Sequence, residues 1–198
     1  MSRRRNRGTR KPSIARSLFR LGAMATIGAA SRGPLAEHDE NARKLISGRR
    51  SEMLDRTVPT FTDLGSTYAA IGAATALWAG GKRKLARDVL CSSMLAWGLA
   101  QAIKPMFRRD RPYEAGEVPL LVRKPAGKSY PSGHPAVAAA IVTVTRDEVA
   151  GPIRPLLGRM PRFVAFSRVY VGAHYPTDVI GGLLLGRAAG DLWRRFAR

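Results

Sequence analysis

Cysteine, acidic side chains and long apolar runs are all scarce in this chain of 198 residues. A single cysteine, Cys91, permits no internal disulfide and no Cys-based zinc site, which excludes an oxidised secreted scaffold. Only 14 Asp and Glu stand against 34 Lys and Arg, a formal charge of +20. Such an excess calls for an anionic partner: nucleic acid, an anionic membrane surface or a phosphorylated substrate. The apolar content of 45% still excludes a wholly disordered chain. The length suits one domain, or a bundle of about five or six helices.

The apolar residues are segregated. Residues 1–12 form a basic tail with no hydrophobic side chain after Met1, and residues 13–31 read as an amphipathic segment suited to an anionic lipid surface. The division expected is therefore 1–33, tail and interfacial helix, and 34–198, a helical domain. Pro34 to Arg56 is polar and helix-permissive. Leu64 to Gly81 then carries no charge over 18 residues, close to the length that crosses a hydrocarbon core, and Val89 to Ile103 is a second uncharged run. The basic segment 82–88 between them reads as the loop of an antiparallel helical hairpin. Three shorter runs follow, Pro135–Thr145, Phe163–Ala173 and Val179–Gly186, each rich in Ala, Gly and Val. The expected fold is all-α: a helical bundle of five or six helices, partly or wholly embedded in a membrane. The run at 64–81 lacks the polar face a soluble outer helix needs.

Three clusters of chemically capable residues lie between 104 and 178. Lys104 to Pro112 places several charges at the end of the second apolar run, where an ordinary collar of snorkelling cations is also expected. Ser132-Gly133-His134 opens the next helical run. Backbone N–H groups at a helix start form an anion site, and Gly lets a ligand approach closely. His134 reads equally as a capping histidine. In the third cluster Arg168 sits inside the apolar stretch FVAFSRVYVGA, expensive unless it meets a negative charge. His174 and Asp178 stand four apart, with Pro176 suited to a first helical turn. That spacing lets Asp178 orient the imidazole and leave its second nitrogen free as a nucleophile, or else makes a structural His–Asp cap.

Together these residues supply what in-line phosphoryl transfer through a histidine needs: cations, a nucleophile and a proton donor. The ordered set Lys104-(six residues)-Arg111-Pro112, Pro131-Ser132-Gly133-His134 and Ser167-Arg168-(five residues)-His174-(three residues)-Asp178 resembles the three-part signature of the type 2 phosphatidic acid phosphatase and vanadium haloperoxidase superfamily. It spans about 75 residues. The resemblance implies that His174 attacks phosphorus, that Asp178 orients it, and that His134 protonates the leaving oxygen and then activates water. It implies that Lys104, Arg111 and Arg168 hold the phosphate, helped by Ser132 and the backbone at Gly133. No metal and no cofactor are implied.

Within that superfamily the short chain and its single cysteine point to the membrane lipid-phosphatase branch. The partners expected are a lipid phosphate substrate and anionic membrane lipids, with no nucleic acid. Polyprenyl-linked phosphates or diphosphates, phosphatidic acid and phosphatidylglycerol phosphate all satisfy the expectation, and the location expected is a bacterial cell membrane, crossed several times. A reading of a different class, a basic helical protein that binds anionic lipid or nucleic acid without catalysis, accounts for the charge. It leaves Arg168 and the His174–Asp178 pair unexplained.

Overall fold

A computed structural model describes residues 11–116, 118–149, 151 and 153–197; residues 1–10 of the basic tail lie outside these. The described chain is all-helical. Eight α-helices occur in the order α1 (Ile14–Ala30), α2 (Ala36–Ser47), α3 (Glu52–Thr62), α4 (Thr67–Ala79), α5 (Arg83–Phe107), α6 (Gly133–Thr145), α7 (Ile153–Tyr170) and α8 (Pro176–Phe196), with a single 3-10 turn at Asp63–Gly65. The apolar runs alone give five or six helices; α2 and α3 add to the count because polar segments also become helical when a cap and a few inward residues support them. Ser51 caps α3 by accepting from Leu54 N–H, and Val58 and Thr62 are its buried side chains.

The segment 82–88 is not a loop. It forms the first turns of α5, because Leu85, Ala86 and Asp88 turn inward and Trp193 Nε1 donates to Asp88 Oδ1 at 3.0 Å. The uncharged run at 64–81 is likewise shorter as structure than as sequence. Ser66 caps a helix of 13 residues, about 20 Å long. No described helix is long and apolar enough to cross a membrane.

At the centre stands α6, ten of whose residues are buried, which is why its sequence is apolar on every side. Helices α5, α7 and α8 pack around it. Contact with α8 is backbone-close: a Cβ on Gly186 would lie 2.0 Å from Ala136 O. Small residues here let two helices approach far enough to hold their N-termini side by side. Helix α1 packs along α8, sending Met24 into the cluster of Ala96, Ala100, Tyr130, Ala136 and Leu185. An Arg20–Asp191 ion pair and the Tyr130 hydroxyl, which donates to Met24 O, tie it there. Its outer side leaves Leu18 and Phe19 exposed.

Candidate active site

The C-terminal parts of α3, α5 and α7, the 3-10 turn with the start of α4, the N-terminal end of α6, Arg111, residues 121–126 and His174 just before α8 close around one cavity of about 570 Å³. Six of the eight residues singled out in the sequence line it: Lys104, Arg111, Gly133, His134, Arg168 and His174. Asp178 lies behind His174, and Ser132 is buried at the N-cap of α6.

Lys104 sits in the last turn of α5, where Arg108 takes a left-handed conformation (φ 46°) and the chain leaves the helix. The turn sends Arg109 and Arg111 inward, both buried. The collar reading therefore fails for these two. The five N–H groups of Arg111 are all engaged. Nε donates to Gly127 O at 3.0 Å, and Nη2 donates to Ala126 O at 3.1 Å and Lys128 O at 3.3 Å. Nη1 donates to Ala173 O and to His174 Nε2, each at 3.0 Å. A guanidinium can only donate, so His174 Nε2 carries the lone pair and Nδ1 the proton.

His174 follows Gly172, whose φ of 79° suits glycine, and a Cβ there would meet Pro119 O at 2.8 Å. The ring is 2% exposed. Burial, reinforced by Arg111, Arg168 and Lys104, holds its pKa well below the ordinary imidazole value, so the ring is neutral at physiological pH. Its Nδ1 lies 3.5 Å from Asp178 Oδ2 and 3.4 Å from Ser129 Oγ. The first distance is longer than a closed hydrogen bond, because Oδ2 already accepts from the Ser129 hydroxyl and from Tyr175 N–H. Asp178 thus caps the start of α8, where Pro176 occupies the first turn, and backs His174 at once.

His134 and Arg168 also line the cavity, and Ser132 is buried at the N-cap of α6, next to Gly133. Ser132 has the backbone of an N-cap, yet its hydroxyl caps nothing. Ser132 Oγ is buried and has no hydrogen-bond partner among the described residues; the same holds for Arg168 Nε. Arg168 is otherwise fixed by Nη1 donating to Thr62 Oγ1 at 3.2 Å. Buried polar atoms without partners are rare, and of these two residues Arg168 lines the cationic cavity while Ser132 directly precedes the lining Gly133. His134 Nε2 stands 3.5 Å from Asp63 Oδ1 at the cavity edge. Among the described residues no group of three or more His, Cys, Asp or Glu is arranged to hold a metal ion.

Sequence reasoning overlooked three participants. Ser129 directly precedes the Tyr130–His134 motif and bonds Asp178. Arg109 lies within the charge cluster and pairs with Asp178 at 2.9 Å. Asp39, on α2, carries no local signal at all.

Over 127 residues the chain is 33% identical to the decaprenylphosphoryl-5-phosphoribose phosphatase of Mycolicibacterium smegmatis, covering 64% of this chain and 68% of that one. It is 31% identical over 129 residues to an undecaprenyl-diphosphatase of Bacillus subtilis, covering 62% and 64%. The chain thus spans about two thirds of the length of these relatives. A crystal structure of a transmembrane PAP2-type phosphatidylglycerolphosphate phosphatase from Bacillus subtilis superposes with a TM-score of 0.77 at 25% identity, covering 92% of this chain and 96% of that one. The family model for the PAP2 superfamily matches residues 86–198, which include every residue of the cationic cavity named in the sequence, and the chain belongs to that superfamily.

Proposed function

We propose that the protein is a metal-independent phosphatase that removes the terminal phosphate of a membrane lipid through a phosphohistidine on His174. The observation that carries this reading is the convergence of the His174 Nε2 lone pair with Lys104, Arg111 and Arg168 on one cavity, with the unpartnered Ser132 hydroxyl buried next to the Gly133 that lines it. A protein that only adheres to nucleic acid or lipid needs its cations on the surface, not buried around a neutral imidazole.

In the first step Nε2 attacks phosphorus, the N–P bond forms, and the bond to the lipid oxygen breaks. His134 gives its proton to that oxygen. Arg111 Nη1, which donates to Nε2 before the reaction, keeps its proton and redirects that hydrogen bond to a phosphoryl oxygen as phosphorus takes the lone pair. Lys104 and Arg168 take up the charge on the remaining equatorial oxygens, with Ser132 Oγ and the N–H groups at the start of α6 beside them. Asp178 receives the Nδ1 proton's hydrogen bond as the ring becomes cationic. In the second step His134 removes a proton from water, whose oxygen displaces Nε2 and releases inorganic phosphate.

The substrate class is a lipid with a terminal phosphate. A polyprenyl-phosphosugar phosphate and polyprenyl diphosphate, named for the two relatives in sequence, come first, ahead of phosphatidylglycerol phosphate, named for the solved neighbour, and phosphatidic acid. We place the protein in a bacterial cell membrane, crossed several times. Helix α4 supports contact with the membrane, being apolar all round with Tyr68 and Trp78 exposed near its two ends, although its 13 residues are too short to cross one. The many surface Arg then face anionic headgroups.

The test is phosphate release by detergent-purified protein in EDTA from a panel spanning polyprenyl diphosphate, a polyprenyl-phosphosugar phosphate, phosphatidic acid and phosphatidylglycerol phosphate. Turnover of at least one, inhibited by vanadate competing for the cavity, is the expected result. Activity that requires added divalent metal overturns metal independence, and no release from any lipid overturns the reading.

A further inference from the structure

The densest group of buried charges outside the cavity lies directly behind His174. Arg109 Nη1 donates to Asp178 Oδ1 at 2.9 Å and to Thr177 Oγ1 at 2.7 Å. Its other nitrogen, Nη2, donates to Asp39 Oδ2 at 2.7 Å. Thr177 N–H donates to Asp39 Oδ1 at 2.8 Å, and the Thr177 hydroxyl donates to Oδ2. The guanidinium lies over the Tyr175 ring, 4.1 Å from its centroid. The side chains of Asp39, Arg109 and Asp178 are 1%, 8% and 0% exposed.

Charge decides what this arrangement can do. An isolated Arg109–Asp178 pair would be neutral and would oppose the cationic ring that forms when His174 takes phosphorus. A second carboxylate on the same guanidinium returns the group to a net charge of −1, with Asp178 Oδ2 as its oxygen nearest Nδ1. Burying three charges costs several kcal/mol per ion before their mutual attraction. Apolar side chains could join α2 to α8 at less cost, so fastening two helices does not account for the group. Asp39 lies outside residues 86–198 matched by the family model. The α2 helix therefore supplies part of the site's electrostatics from beyond that segment.

We infer that Asp39 and Arg109 are positioning residues for the phosphoryl transfer: Arg109 fixes the Asp178 carboxylate and keeps it ionised, and Asp39 balances Arg109 so that the group behind His174 carries net negative charge when the ring becomes cationic. This rests on the function proposed above, and its test has one arm that needs no substrate.

Asp39→Asn preserves the shape and leaves an oxygen for Thr177 N–H. It is expected to lower kcat about ten- to a hundredfold, with KM within about twofold, which is the pattern of an interaction made in the transition state. The coupling runs through one guanidinium, so Asp39→Asn combined with Arg109→Gln should be no slower than Arg109→Gln alone. The substrate-free arm uses ring-15N-labelled histidine. The chain has three, His38, His134 and His174, separable by His→Gln variants. The His174 Nδ1–H signal should shift in Asp39→Asn toward a weaker hydrogen bond. Should that variant not fold, Arg109→Lys, which keeps the charge but cannot bridge both carboxylates, is expected to show the same shift and the same kcat loss. A purely structural role would lower the thermal midpoint and leave kcat and the His174 signal unchanged, overturning the inference. A wild-type protein that hydrolyses no lipid overturns the function instead and leaves the ring signal to decide this point.

Discussion

Ser132 separates what the fold needs from what the chemistry needs. Its hydroxyl bonds nothing in the described protein, so Ser132→Ala removes no folding interaction. The thermal midpoint is expected to stay within a degree or two, while kcat/KM falls about tenfold or more, the value of a hydrogen bond to a charged oxygen; thermal scans beside steady-state kinetics check both. His174 also makes a prediction about pH. Its folded pKa lies below the ordinary value of about 6.5, so the native state refuses a proton that the unfolded chain accepts. Stability from this group is fully present above about 6.5 and is lost as pH falls from there toward the folded pKa. Substrate-free wild type should lose thermal midpoint between pH 7 and 5 more steeply than His174→Gln, measured in the same buffers. At this scale the sequence was unusually legible. Lys104, Arg168 and His174 are polar groups in apolar settings, visible without a structure. Asp39 was not, because Arg109 and Thr177, the partners that hold it, stand 70 and 138 residues away.

Between elements, the contact of α6 with α8 sets the site. It aligns the helix start that carries Ser132 and His134 with the one that carries Asp178. Gly186→Ala drives a Cβ into Ala136 O, and neither atom is the end of a flexible side chain. The cost expected is about 3 kcal/mol or more, read as a fall in chemical-denaturation midpoint, with activity lost even in the folded fraction because the two helix starts are prised apart. A residue's place in a short apolar run does not reveal such a contact; the Ala- and Gly-rich character of 135–145 and 179–186 is consistent with many packings. The segment 82–88 misled for a related reason. Its cations suit a loop, but helix propagation through Leu85 and Ala86 depends on what they pack against, and that is distant in sequence.

For the molecule as a whole, +20 on 198 residues first suggested nucleic acid as readily as lipid. The fold sorts that charge. Lys104, Arg111 and Arg168 line one cavity, Arg109 is balanced between two carboxylates, and Arg20 and Arg194 pair with Asp191 and Asp147. The all-helical class and the cavity's contents were readable from runs and motifs, whereas the packing of α1 along α8 was not, since its amphipathic pattern fits a lipid surface as well as a protein one. The account stands on His174 as the group that receives phosphorus. The most direct measurement is transfer of 32P from terminally labelled polyprenyl diphosphate to the His134→Ala protein, quenched within the first turnover. An acid-labile, alkali-stable label on the peptide containing His174 is the predicted result. Label on any other residue, or undiminished lipid hydrolysis by His174→Ala, would contradict it.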